Sequence, residues 1–223
     1  MLKSKFFLLS LGLLCFAVSS WAADRPVNPF TQALQLDPDV AKGKAEFQRR
    51  CSQCHGENGW GSYDGEFPQL AGQHRSVIIK QLADIHRGTR SNPKMIPVVI
   101  QLSSGPSQLV ADIAGYLESM LMNPYPEVGE GENLEVAEAV YKARCAGCHG
   151  ARGEGDASKF YPLVQGQHYE YMLRELRWLR DGKRKNANQD MVEQIKAMDD
   201  RKLASLADYL SRLMPPEERL RPE

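Results

Sequence analysis

The 223-residue sequence predicts an all-α protein built from two tandem copies of one small domain, related by an internal repeat. Three observations predict it. First, shifting the chain by 94 residues superimposes its halves: Phe47 falls on Tyr141, Cys51 on Cys145, His55 on His149 and Pro68 on Pro162. Gly72-Gln73-His74 then falls on Gly166-Gln167-His168, Leu82 on Leu176, Gly88 on Gly182, Arg90 on Arg184 and Asn92 on Asn186. After a small slip of register, Ala114-Gly115-Tyr116-Leu117 returns as Ala207-Asp208-Tyr209-Leu210. Self-similarity at a fixed offset marks a duplicated structural unit. Second, apolar residues recur at helical spacing in both copies, and no stretch alternates as a strand would. Third, each copy carries one Cys-x-x-Cys-His run at a matching position.

In chain order, residues 1–22 read as a cleaved signal peptide. Lys3 and Lys5 make a basic start, Phe6 to Val18 is mostly apolar, and Ser20-Trp21-Ala22 places small residues where a signal peptidase reads them. The apolar run is too short to span a bilayer. Cleavage after Ala22 is expected to give an exported, soluble product. It also removes Cys15, which follows Leu14 rather than the small residue a lipoprotein site needs. Residues 23–38 form an N-terminal extension, 39–122 the first domain, 123–131 a linker, 132–214 the second domain and 215–223 a C-terminal tail. The linker rests on Asn123-Pro124-Tyr125-Pro126 and the glycines Gly129 and Gly131, which favour neither helix nor strand.

Within the first copy, Asp37-Pro38 reads as a cap and first helical residue for a helix running to Cys51; its counterpart starts near Asn133 and reaches Arg144. Glycine-rich loops follow, Gly56 to Gly72 and Gly150 to Gly166. A second helix carries Ile78, Leu82 and Ile85 on one face, echoed by Met172, Leu176 and Leu179. A last helix carries Leu109, Ile113, Tyr116 and Met120, echoed by Leu203, Leu206, Leu210 and Leu213. Each domain is small for an independent apolar core. The chain holds 28 basic and 28 acidic side chains, and removing Lys3 and Lys5 leaves it slightly acidic, so charge gives no support for nucleic-acid binding. No other run is long and apolar enough to cross a membrane.

The runs Cys51-Ser52-Gln53-Cys54-His55 and Cys145-Ala146-Gly147-Cys148-His149 have the spacing for covalent attachment of a c-type haem. Two thiols add across the two vinyl groups, two intervening residues match the sulfur separation, and the adjacent histidine is held where it can ligate the iron. Two such haems are expected, bound by Cys51, Cys54 and His55, and by Cys145, Cys148 and His149. The competing readings are a zinc cluster, which needs both cysteine pairs close together, and redox-active dithiols, which belong near a strand–helix–strand pattern. The immediate histidine favours haem. With all four remaining cysteines committed, none is left for a disulfide.

A sixth ligand separates an electron carrier from an enzyme with an open iron. Met95 lies 40 residues after His55 in the loop Asn92-Pro93-Lys94-Met95-Ile96-Pro97, and Met191 lies 42 residues after His149 in the corresponding loop. A loop thioether can reach the distal face, and His/Met ligation raises the reduction potential. A lone methionine more often fills a core gap, and that reading holds for Met120, Met122, Met172, Met198 and Met214, within or beside helices. The rival ligands His74 and His168 sit where the loop enters the second helix and read as cap or surface residues; His86 reads as a solvated helix residue. Arg174, Arg177, Arg180, Lys183, Arg184 and Lys185 read as a solvated helix face, with a docking patch for an acidic partner or contacts to haem propionates as the sharper alternatives.

On these residues the chain resembles the di-haem cytochromes c of the cytochrome c4 family. The resemblance covers residues 39–214 and rests on the doubled haem motif, the stretch Pro68-Gln69-Leu70-Ala71-Gly72-Gln73-His74, and the approach Gly88-Thr89-Arg90-Ser91-Asn92 to Met95. The second copy keeps the frame with different residues around Met191. The resemblance implies two class I cytochrome c-like domains, each enclosing one covalently bound haem and related by a pseudo-two-fold axis. It also implies that Pro68 and Pro162 pack near the haem histidines. The implied function is periplasmic electron transport, taking electrons from a quinol-oxidising complex and passing them to a terminal oxidase. Alternatives are an electron-transfer subunit of a periplasmic dehydrogenase, or a di-haem enzyme with one labile axial ligand. The mechanism expected is single-electron transfer through two His/Met-ligated haems with non-identical potentials.

Overall fold

The computed structural model describes residues 28–222, so the signal-peptide reading of residues 1–22 lies outside the described residues. The first domain comprises α1 (Pro29–Ala33), α2 (Val40–Arg50), α3 (Ser52–His55), α4 (Arg75–His86), α5 (Ile96–Ser103) and α6 (Ser107–Ser119). The second comprises α7 (Leu134–Arg144), α8 (Ala146–His149), α9 (Tyr169–Arg180), α10 (Gln189–Ile195) and α11 (Asp200–Arg212). Among the described residues the only ladder contacts are two isolated bridges, Met122 with Leu220 and Asp156 with Tyr161.

The first and last long helices of each domain cross, α2 on α6 and α7 on α11. Gly43 permits the close approach in the first domain: a Cβ there would lie 2.0 Å from the Asp112 carbonyl oxygen. Ala137 holds the equivalent place in the second. The helices enclose two separate cores. One contains Phe30, Phe47, Ile79, Leu102, Val110 and Ile113; the other contains Tyr141, Leu173, Leu176, Ile195, Leu203 and Leu206. Burial of each such side chain contributes roughly 1.5–3 kcal/mol.

Three local expectations are corrected. α2 starts at Val40, not Pro38, because Asp39 is the cap: its side chain accepts from Lys42 N at 3.0 Å, and its own N–H donates to Asp112 Oδ1 at 2.8 Å. Pro38 instead packs over Gly115, where a Cβ would meet it at 2.3 Å. The last helices end at Ser119 and Arg212, so Met120 and Leu213 are caps with extended backbone. The stretch before α2, read as an extension ahead of the first domain, contributes a helix to it. Asn28 caps α1 with Pro29 as its first residue, and Phe30 and Ala33 are fully buried in the first core.

The domains meet through reciprocal contacts between repeat-equivalent residues. Gln73 Nε2 donates to the Leu163 carbonyl at 2.8 Å, while Leu163 N donates to Gln73 Oε1 at 3.0 Å. Gln167 repeats this on Gln69, its Nε2 donating to the carbonyl at 2.9 Å and its Oε1 accepting from the amide at 2.9 Å. His74 donates from Nε2 to the Glu154 carbonyl at 2.8 Å, and His168 from Nε2 to the Trp60 carbonyl at 2.6 Å. A two-fold relation between the copies requires just such pairing.

Beside these lies a square of polar groups around the buried Glu175. Arg90 donates to Gln81 Oε1 at 3.1 Å and to Glu175 Oε2 at 3.2 Å. Arg184 donates to the same two side chains, at 3.2 Å and 2.8 Å. Chain 123–131 is pinned rather than loose: Gly129 N and Gly131 N donate to the two carboxylate oxygens of buried Asp208. The tail returns to the first domain, where Arg219 donates to the Gly72 carbonyl at 2.8 Å and accepts from Met122 N at 2.8 Å.

Candidate functional site

Each Cys-x-x-Cys-His run forms the last turn after the first long helix of its domain. Cys51 ends α2 and starts α3, and His55 N donates back to the Cys51 carbonyl at 2.9 Å. His149 N donates to the Cys145 carbonyl at 2.9 Å in the second domain. One helical turn therefore gathers both thiols and the imidazole at each site. Within each pair the first cysteine is inward and the second, Cys54 or Cys148, is exposed. Burial pushes the Cys51 thiol up to about 12 and the Cys145 thiol up to about 11, so neither is a thiolate at neutral pH. All four are free of disulfides. Among the described residues no cluster of three or more histidine, cysteine or carboxylate side chains is arranged to hold a metal ion.

After each histidine the chain turns at glycines that only glycine can supply. Gly61 has φ +77° and donates its N–H to the His55 carbonyl at 2.9 Å; a Cβ there would lie 2.2 Å from the Phe67 carbonyl oxygen. Gly155 repeats this against His149 and Tyr161. These turns bring Pro68 and Pro162 to the histidines. His55 Nδ1 lies 3.4 Å from the Pro68 carbonyl oxygen, and His149 Nδ1 lies 3.0 Å from that of Pro162. A carbonyl only accepts, so in both rings Nδ1 carries the proton and Nε2 keeps its lone pair. Burial holds both imidazoles below the usual histidine pKa, hence neutral at pH 7.

His55 Nε2 is buried and has no hydrogen-bond partner. A buried nitrogen lone pair without a donor is costly, and it is what an iron ligand presents before the metal arrives. The residues present therefore fit a haem at this position.

Met95 is the cap of α5, half-buried and packed against the same core as Cys51. Met191 packs against the second core with Cys145. It lies in the first turn of α10, not in a loop: Asn188 Oδ1 accepts from Asp190 N and Met191 N and so starts the helix there. Met122, Met172 and Met198 are buried as expected, whereas Met214 is exposed.

His74 and His168 do stand at the N-caps of α4 and α9, yet neither side chain caps its helix. His168 is no surface residue, being 1% exposed with the ring turned into the other domain. His86 is exposed and stacks at a tilt on Phe30. Four arginines of the basic run are likewise internally engaged. Arg174 donates to the Gly65 carbonyl, Arg177 and Arg180 pair with Asp200, and Arg184 pairs with Glu175; Lys183 and Lys185 are exposed. Gln73 and Gln167 are the interface residues that sequence reasoning did not single out. The repeated Gly-Gln-His triplet was the available signal.

These two matched sites, each a cysteine pair and a neutral imidazole inside a small helical domain, define a c-type cytochrome with one haem per domain. The sequence profile described as "Cytochrome c" matches residues 40–120 and 135–213, and the chain belongs to the cytochrome c family. It is 30% identical over 193 residues to cytochrome c4 of Azotobacter vinelandii, covering 79% of this chain and 89% of that protein. It is 34% identical over 171 residues to a thiosulfate dehydrogenase electron acceptor of Stutzerimonas stutzeri (strain A1501), covering 72% and 77%. The crystal structure of reduced recombinant cytochrome c4 from Pseudomonas stutzeri superposes with a TM-score of 0.70 over 79% of this chain and all of that one, at 24% identity. The protein is thus a di-haem c-type cytochrome of electron transfer, similar to cytochrome c4, and its Cys51/Cys54 and Cys145/Cys148 pairs fit two covalent haem attachment sites.

Proposed function

We propose that the protein is a periplasmic carrier of single electrons in which His55 with Met95, and His149 with Met191, would hold the two haem irons. The observation that carries this reading is the buried, partnerless Nε2 of His55, on a ring whose other nitrogen is committed to the Pro68 carbonyl. A bound haem supplies the ferric/ferrous couple. The rest is the work of the chain. Cys51, Cys54, Cys145 and Cys148 fix position, while the neutral histidines present a lone pair in a set orientation. Met95 and Met191, held against the two cores, would supply a thioether to each iron, so substrate need not bind at the metal. The buried apolar surroundings limit the solvent rearrangement that accompanies a change of charge.

Redox proteins are the partners this chemistry requires. A quinol-oxidising complex as donor and a terminal oxidase as acceptor fit a respiratory carrier. A second reading is supported by the similarity to the thiosulfate dehydrogenase electron acceptor: the chain accepts electrons from a periplasmic dehydrogenase. Among the described residues no helix is long and apolar enough to cross a membrane.

The test is optical spectroscopy of the exported holoprotein with haem quantification and a carbon monoxide challenge. Two haems per chain, a methionine-to-iron charge-transfer band and no carbon monoxide binding are expected. In Met95→Ala, carbon monoxide should bind one haem. Binding by the unsubstituted protein at neutral pH would overturn the carrier reading in favour of an enzyme with an open iron.

A further inference from the structure

One peptide group in each domain is gripped from both sides. The Pro68 carbonyl accepts from His55 Nδ1, and the N–H of the same peptide, that of Gln69, donates to Gln167 Oε1 in the second domain at 2.9 Å. The Pro162 carbonyl accepts from His149 Nδ1, and the N–H of that peptide, that of Leu163, donates to Gln73 Oε1 in the first domain at 3.0 Å. Both glutamines are held in place. Each Oε1 also accepts from the amide of the following histidine at 3.1 Å, and each Nε2 donates to the carbonyl of residue 69 or 163. Gln69 and Gln167 are 4% and 7% exposed, so the route from Gln167 to His55 runs through a water-poor interface.

Hydrogen bonds linked through a peptide polarise one another. An acceptor on the amide N–H increases the negative charge on the carbonyl oxygen. That oxygen then draws the Nδ1 proton of the histidine more strongly, making the opposite nitrogen a more basic ligand. A more basic ligand favours ferric over ferrous iron and lowers the reduction potential. We infer that Gln167 and Gln73 are cross-domain positioning residues, each tuning through one peptide group the histidine ligand of the opposite domain, so that each haem's potential depends on a side chain of its neighbour.

This rests on the assignment of His55 and His149 as iron ligands, and it goes beyond that assignment by placing part of their control across the interface. It also gives the two sites a built-in difference. The His149 contact is the shorter of the two, 3.0 Å against 3.4 Å at His55.

The experiment is NMR of the ¹⁵N-labelled, fully reduced holoprotein, in which low-spin ferrous haem is diamagnetic, combined with spectroelectrochemistry. The Nδ1–H resonances of His55 and His149 are assigned by their proximity to Pro68 and Pro162. In Gln167→Leu the His55 resonance should move upfield and the first-domain potential should rise, with the His149 resonance unmoved. In Gln73→Leu the pattern should exchange domains. Gln167→Glu keeps an oxygen for the Gln69 amide and should leave the His55 resonance at or downfield of its original position, which a loosened interface would not do; it also serves if the leucine variant fails to assemble. A Gln167 substitution that moves His149 instead, moves both alike or moves neither overturns the inference. Failure of the ligation itself is seen separately, as an unsubstituted protein lacking low-spin haem spectra.

Discussion

His168 donates its Nε2–H to the Trp60 carbonyl of the other domain at 2.6 Å, while its Nδ1 lies buried with no partner. The Tyr63 ring meets it edge-on at 5.4 Å. A second proton on this ring would have no acceptor, and burial accordingly holds His168 below the usual histidine pKa, against smaller opposing effects of the Trp60 hydrogen bond and the Asp64 charge.

The pH dependence follows by linkage. Above the ordinary value of 6.5 the ring is neutral whether the chain is folded or unfolded, and it contributes nothing. As pH falls from 6.5 towards the depressed folded value, the unfolded chain takes up a proton that the folded one refuses, and stability is lost. Urea unfolding of the holoprotein between pH 8 and pH 5 should show a steeper fall than His168→Gln shows. Equal slopes would mean that this ring does not titrate on unfolding.

Glu175 is the only carboxylate in the square with Arg90, Arg184 and Gln81, and its side chain is 7% exposed. Glu175→Gln leaves two largely covered guanidinium groups, 11% and 15% exposed, facing two amides. Removing one partner of a buried pair costs about 3–5 kcal/mol. Because the pair is shielded, the loss measured by denaturation should persist at 1 M salt, whereas loss of a surface pair would be screened away.

Gly61→Ala should disturb the first site more than its size suggests. The added methyl meets the Phe67 carbonyl oxygen at 2.2 Å on a backbone with φ +77°, and the turn it strains carries the His55–Pro68 contact. Backbone strain of this kind costs roughly 1–3 kcal/mol. Thermal unfolding should register it. Gly56→Ala, where a Cβ has open space at φ +74°, is the control and should cost less.

Arg219 ties the tail to the first domain through the Gly72 carbonyl and the Met122 amide. Ending the chain at Pro216 removes those bonds, together with that from Arg221 N to the Met122 carbonyl at 3.1 Å and the Arg221 guanidinium over the Trp60 ring at 5.7 Å. At roughly 1 kcal/mol for each net hydrogen bond, the melting temperature should fall by several degrees. An unchanged melting temperature would mean that the tail adds nothing to the interface.

Two helices were illegible in the sequence for reasons that can be named. α5 reads Ile-Pro-Val-Val-Ile-Gln-Leu-Ser, and its β-branched run has poor helix propensity. Proline is tolerated there because it sits in the first turn, and burial of Val99 and Leu102 decides the outcome. α10 is only seven residues long, too short for apolar periodicity to appear. α1, by contrast, has a legible signal, since Asn28-Pro29 is a cap followed by a proline at the first helical position.

The chemistry and the duplication are legible in the order of residues alone. A haem attachment site is local, because two thiols and an imidazole must fall within five consecutive residues, and a repeat is a property of the string. What Gln73, Gln167 and His168 do emerges only on docking of the two domains. Their partners lie 90, 98 and 108 positions away in the chain and meet them only when the two domains dock. A polar side chain at the end of a loop reads the same whether it faces water or another backbone. The hydrogen bonds that distinguish the two cases form only when docking strips the water away.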